Sequence, residues 1–151
     1  MFHNTGKGKF DDVSKSLSPE FARPIVGRGA AYADFDHDGD PDLVISTNGG
    51  PAYLFRNDGG NSNSWIHLTL TGTRSIRSAI GAMVRIQSAG GKQWQMVHSG
   101  SSYCSQSELG LTFGLGNDAR VNTIDVEWPS GQKQHLANVP ARQYLSIVEP
   151  K

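Results

Sequence analysis

An all-β protein is predicted by three features of these 151 residues. Eighteen glycines and seven prolines punctuate the chain, which suits many short strands joined by tight turns. Between them lie short runs rich in β-branched and aromatic residues, several alternating apolar with polar. Helical periodicity is scarce. Only Lys15 to Phe21 carries a weak pattern of that kind, with Pro19 placed as a first helical residue could be.

In chain order, the β-type runs are Ala30 to Phe35, Leu43 to Thr47, Ala52 to Arg56, Trp65 to Thr71 and Ala82 to Ser88. They continue with Gln93 to Ser99, Gly110 to Gly114, Thr123 to Trp128, Gln132 to Leu136 and Gln143 to Val148. The polar stretch Gly59 to Ser64 reads as a linker that divides the chain, giving segments 1–60 and 65–149. Before the linker, Phe2-His3-Asn4-Thr5-Gly6 is echoed by Phe55-Arg56-Asn57-Asp58-Gly59, a spacing near that of propeller-blade repeats. After it, strands at roughly ten-residue spacing suggest a β-sandwich or barrel.

Formal net charge is zero, so no global field favours nucleic acid or an anionic membrane. No run is long and apolar enough for a transmembrane helix, and the first residues, MFHNTGKGKF, contain no apolar signal-peptide core. Cys104 is the single cysteine and reads as a small buried hydrophobe.

The acidic residues are unevenly spread. Five of the fourteen fall within Asp34-Phe35-Asp36-His37-Asp38-Gly39-Asp40-Pro41-Asp42. Carboxylates at alternate positions of a curled loop point inward, and calcium takes six to eight hard oxygen ligands in this way. Gly39 permits the positive φ of the sharp turn. Asp34, Asp36 and Asp38 are expected to bind through side chains, Asp40 through its carbonyl, and Asp42 to close the site. The residue at position 12 of the loop is Ile45 rather than glutamate, so this is no EF-hand. An acidic turn without metal would carry uncompensated repulsion, about 1 kcal/mol per pair at 4 Å even in water. His37 sits at an even position and is expected to point outward.

The segment GRGAAYADFDHDGDPDLVISTNGGPAYLFRNDGG resembles an FG-GAP or VCBS repeat, the calcium-binding blade of integrin-like β-propellers. From Trp65 onward the chain resembles the ASPIC/UnbV domain that follows such repeats in cartilage-acidic-protein-like proteins. The matching runs are Ala79-Ile80-Gly81-Ala82, Gly100-Ser101-Ser102-Tyr103, Ser105-Gln106-Ser107-Glu108, Phe113-Gly114-Leu115-Gly116 and Val126-Glu127-Trp128-Pro129-Ser130-Gly131. Cys104 and Ile76 depart from the pattern. The resemblance implies a partial propeller blade with a calcium loop, joined to a β-sandwich-like ASPIC/UnbV domain. It also implies a secreted or cell-surface, non-catalytic recognition or adhesion module whose partner is a protein or glycan. Phe2 to Val13 reads as the outer half of one blade and Ala30 to Asp58 as the inner strands of the next. Open blade edges leave a second expectation, self-assembly into oligomers or fibres.

Other constellations carry less. Asp125 and Glu127 share one side of a strand and could imitate a glycosidase pair, but they read more simply as the solvated face opposite Ile124 and Val126. Ser101, Ser102 and His98 lack a nucleophile elbow. Gly114-Leu115-Gly116 lacks the helix start of a nucleotide loop. Arg74 and Arg77, around Ser75, could hold an anion or line an ordinary loop. Trp65, Trp94 and Trp128 could stack a sugar, a third expectation for function, or fill core.

Overall fold

The computed structural model describes residues 1–151. Twelve strands form four sheets. Strands β1 (Phe2–Gly6) and β2 (Lys9–Asp12) pair only with each other, and every residue of this hairpin is exposed. The expected helix divides in two: α1 (Ser14–Leu17), then a 3-10 turn at Glu20–Ala22. Pro19 is the reason. The residue before a proline is pushed out of the helical region, and Ser18 is extended at φ −162°, ψ 158°.

Strands β3 (Gly27–Ala33), β4 (Asp42–Thr47) and β5 (Tyr53–Phe55) form an antiparallel sheet in the order β3-β4-β5. Its register places Ala31, Val44 and Leu54 in one row and Tyr32, Leu43 and Phe55 in the next. Phe21 of the 3-10 turn packs on Phe55 with ring centroids 4.7 Å apart. Val44 and Leu54, on the other side, are exposed. A three-stranded sheet covered on one side is marginal alone, so its support must come from elsewhere in the chain.

That support is a sandwich of two sheets. One has the order β12-β6-β9, formed by β6 (Ser64–Thr71), β9 (Leu111–Gly116) and β12 (Gln143–Val148). The other has the order β11-β10-β7-β8, formed by β7 (Met83–Ser88), β8 (Gly91–Met96), β10 (Arg120–Glu127) and β11 (Lys133–Pro140). Ile66, Leu68, Phe113 and Ile147 from the first sheet meet Val84, Ile86, Ile124 and Val126 from the second in one core, with Trp128 buried at its margin. Gln93 and Gln95 of edge strand β8 donate their side-chain amides to the carbonyls of Gly114 and Thr112, both at 2.7 Å. They tie the two sheets together where no backbone ladder does.

All ten runs read as strands from the sequence coincide with strands, with ends differing by a few residues. The parallel pairing of β12 with β6 is a feature that the alternation could not reveal. It extends past both strand ends through Arg142 N–H to the Trp65 carbonyl (2.6 Å) and Glu149 N–H to the Thr71 carbonyl (2.9 Å).

Two expectations are corrected. Gly59 to Ser64 is no free linker: Gly60–Ser62 forms a 3-10 turn folded back onto the aspartate loop. Cys104 is exposed, not buried. Its φ of 49° turns the backbone rather than the thiol toward β3, so a side chain on Gly29 would meet the Cys104 carbonyl at 2.8 Å.

The loop flanked by Arg74 and Arg77 does hold an anion, and the anion belongs to the chain. Glu149, 2% exposed, accepts from the backbone N–H groups of Thr73, Arg74 and Ser75 at 2.7–2.8 Å, and from the hydroxyls of Ser75 and Ser130. Burial alone would raise its pKa, but the Ser130, Ser75 and Thr73 hydrogen bonds outweigh it and hold the carboxyl down at about 2. A depressed carboxylate pKa adds stability above the unfolded value of 4.5 that is lost as pH falls through the folded one. Glu149→Gln should therefore melt below the native chain at neutral pH, with the gap closing between about pH 4.5 and 2. Thermal melts of both chains across that range would check this.

Candidate metal loop at the seam between blade and sandwich

The outer face of sheet β12-β6-β9 is the floor on which the aspartate loop rests. Ile66, Leu68 and Leu70 point into the core, so Trp65 and His67 must point away from it. Register sets Tyr144, His67 and Thr112 in one row on that outer face. His67 Nδ1 lies 2.9 Å from the Thr112 hydroxyl. Burial lowers the His67 pKa, against the opposing pull of the Asp34 charge. The Tyr144 ring is surrounded by Trp65 (5.1 Å between centroids), His67 (4.9 Å) and His37 (5.4 Å).

The loop itself curls through backbone bonds to its own carboxylates. Asp34 accepts from the N–H groups of Asp38 (3.1 Å) and Gly39 (2.9 Å). Asp42 accepts from Phe35 N–H (3.1 Å) and Asn57 N–H (2.8 Å), so the start of the loop, its end and the chain after β5 share one anchor. Asp38 accepts from Asp40 N–H at 3.2 Å. Gly39 takes φ 102°, as the motif requires. It has a second reason to be glycine: a Cβ there would overlap the Trp65 indole.

Carboxylate oxygens of Asp34, Asp36 and Asp42 lie within 4.8 Å of one another. Asp34 and Asp42 are buried and Asp36 is exposed. Such a group of hard oxygens could hold a divalent cation. Asp38 and Asp40, also expected as ligands, fall outside the converging group. The Asp40 side chain accepts from Asn61 N–H at 3.1 Å, while Asn61 Nδ2 donates to the Asp38 carbonyl at 2.9 Å. Asp40 is 1% exposed and its Oδ1 has no partner. Burial raises its pKa, the Asn61 amide lowers it, and the Asp38 charge raises it again. It borders a cleft of about 430 Å³ between the loop and Trp65. His37 is exposed, as its even position suggested.

Three residues of the site were not legible in the sequence. The Tyr144 hydroxyl donates to Asp34 Oδ2. Burial, then that bond and the Asp34 charge, push the phenol pKa up, so the donor stays protonated. Glu108 sits beside Asp34 with one buried, unpartnered oxygen, and burial raises its pKa. Arg142 donates to the carbonyls of Asn61 (3.3 Å) and Ser62 (2.8 Å), holding the 3-10 turn in place. Tyr144 and Arg142 lie far along the chain from the loop, beyond the reach of any local motif.

A third contact closes the seam. Ala30 N–H donates to the Ser105 hydroxyl (2.9 Å), Tyr32 N–H to the Ser107 hydroxyl (3.2 Å), and Glu108 N–H to the Tyr32 carbonyl (3.1 Å). The segment Ser105 to Glu108 thus covers the outer edge of β3, an edge expected to be open.

A family model described as ASPIC and UnbV matches residues 72–151, more than half of the chain. The chain belongs to the ASPIC and UnbV family. Ahead of that segment, an FG-GAP-like repeat matches residues 1–45 and an FG-GAP repeat residues 26–67. The FG-GAP matches identify the hairpin and the β3-β4-β5 sheet as propeller-blade material. They run into β6, which the fold nevertheless places between two strands of the ASPIC/UnbV segment. Among relatives, cartilage acidic protein 1 of Mus musculus is 31% identical over 149 residues, covering 93% of this chain. The Homo sapiens protein of that name is 32% identical over 145 residues, covering 92%, and the Xenopus tropicalis one 30% over 158 residues, covering 99%. The chain spans 22–24% of the length of these curated relatives.

Gly39→Ala should place a methyl group against the Trp65 indole and strain the turn. The expected loss of stability is about 2–4 kcal/mol, read by urea unfolding. Replacing Trp65 with Leu in the same chain should recover part of it, the non-additivity expected of two residues in contact.

Proposed function

We propose that this chain is a non-catalytic recognition module of the extracellular-matrix type, in which a calcium ion on the FG-GAP loop stiffens the seam with the ASPIC/UnbV segment. The observation that carries this reading is the convergence of Asp34, Asp36 and Asp42 on a loop that Tyr144 and Trp65 hold from the other segment. Calcium would supply the positive charge that three carboxylates lack, with Asp34, Asp36 and Asp42 as side-chain ligands. Asp38 and the Asp40 carbonyl remain the expected completions of the shell. Extracellular calcium modules commonly work at a Kd of about 10⁻⁴–10⁻³ M, which suits a structural clip.

The non-catalytic reading draws its support from the setting of the pairs that could imitate a catalytic site. Asp125 is paired with His135 at 2.7 Å and Glu127 with Arg85 at 3.2 Å, all four exposed on an open sheet. His98 Nδ1 lies 3.0 Å from the Met96 carbonyl, its own neighbour in the chain. No helix is long and apolar enough to cross a membrane. FG-GAP repeats and relatives named for cartilage favour an extracellular setting with protein or glycan partners, and zero net charge disfavours nucleic acid. Self-assembly into oligomers or fibres is the weaker reading, because Ser105 to Glu108 caps the β3 edge of the three-stranded sheet and leaves open there only that of β5.

Calcium titration followed by calorimetry tests the proposal. Calcium at ten times its Kd should raise the unfolding free energy by about 1.4 kcal/mol. Asp36→Ala, which alters an exposed ligand and no buried contact, should abolish both the heat and the gain. Asp125→Ala should keep both. Equal calcium binding by Asp36→Ala and the native chain would overturn the assignment.

A further inference from the structure

Sheet β11-β10-β7-β8 buries one face in the core and turns the other to solvent. On the solvent face, register sets His135, Asp125, Arg85 and Trp94 in one row across four strands. Thr123, Gln87 and Lys92 occupy the next row. Four strands at about 4.8 Å spacing make this row about 14 Å long, a flat strip with room for several sugar units.

Trp94 is 66% exposed, and the other two tryptophans are committed elsewhere. Trp128 fills core, and Trp65 packs against Gly39. Trp94 therefore offers a free indole face on an edge strand, where a charged or polar residue would better protect the sheet. Beside it is a depression of about 330 Å³, lined in part by Arg85, Gln87, Lys92, Thr123 and Asp125.

The chemistry of these neighbours selects the partner. Charges of both signs share this face, Arg85 and Lys92 against Asp125 and Glu127, with Arg85 paired to Glu127, so the face lacks the cationic excess that a polyanion requires. A protein hot spot would surround the indole with a desolvated apolar ring, whereas here Met83 and Met96 lie on one side only and the depression on the other is lined by polar side chains. What remains is one aromatic plane amid fixed donors and acceptors. A pyranose presents the complement, an apolar C–H face ringed by hydroxyls that both donate and accept. We propose that this face binds a neutral hexopyranose chain, one ring stacked on Trp94 and its hydroxyls bonded by Gln87, Lys92, Arg85 and Asp125. This names a ligand class for the recognition role proposed above and rests on that role, but not on calcium.

The test is titration of the full chain with cellohexaose, chitohexaose and mannohexaose in the millimolar range, by calorimetry and tryptophan fluorescence. At least one should bind with a fluorescence shift, and Trp94→Ala should weaken it about tenfold or more. That variant should keep the native melting temperature and the calcium-induced rise, so failure here is distinct from failure of the calcium reading. Absence of binding by all three sugars overturns the inference, as does unchanged binding by Trp94→Ala. Binding confined to chondroitin sulfate and abolished by half-molar salt also overturns it, marking an anion surface instead.

Discussion

The Tyr144 hydroxyl donates to an Asp34 carboxylate oxygen, and the relation between the two segments is organised around that bond. Tyr144 lies on β12, whose parallel pairing with β6 sets it beside His67 in a row. Asp34 opens the loop and fixes its curl through the amides of Asp38 and Gly39. One contact therefore couples the register of the ASPIC/UnbV sandwich to the conformation of the FG-GAP loop. The fit of Gly39 on Trp65 and the clamp of Arg142 on the 3-10 turn hold the same geometry from either side.

Two carboxylate sites in this chain make an instructive contrast. Glu149 gathers three backbone amides and two hydroxyls, so its charge is satisfied within the protein. The aspartate loop spreads seven donors over five carboxylates. Asp42 receives two amides, and Asp40 keeps one oxygen buried without a partner. Similar amide chemistry closes the first site and leaves the second with acceptor capacity for a cation. Residue type does not separate the two; the ratio of donors to carboxylates does.

Much of this arrangement was written locally. Alternation of apolar and polar residues located the strands, because a half-buried strand must alternate. The alternating aspartates and Gly39 marked the loop for the same reason, since their spacing is a property of one short curl. Pairing partners were not legible. Alternation tells which side a residue faces, not which strand lies beside it, so the β12–β6 pairing and the contributions of Tyr144 and Arg142 stayed hidden. The Gly59 to Ser64 composition suggested a linker because its role is met by backbone groups, which any sequence has. Cys104 misled because hydrophobicity describes a side chain, while at this position the backbone makes the contact.

The cover that Ser105 to Glu108 lays along β3 has a consequence for the order in which the molecule assembles. Its hydrogen bonds to Ala30 and Tyr32 join residues 75 positions apart, and the Tyr144 bond spans 110. Contacts so distant in sequence form slowly, because a long loop must close before they return anything. During synthesis the β3-β4-β5 hairpins emerge after Phe21, which packs on Phe55, but before Ser105 to Glu108, which cover the β3 edge. The β3 edge must wait uncovered until Ser105 to Glu108 have been synthesised. Vectorial synthesis thus exposes this edge to wrong strand partners early, in a window that closes when Ser105 to Glu108 dock on β3.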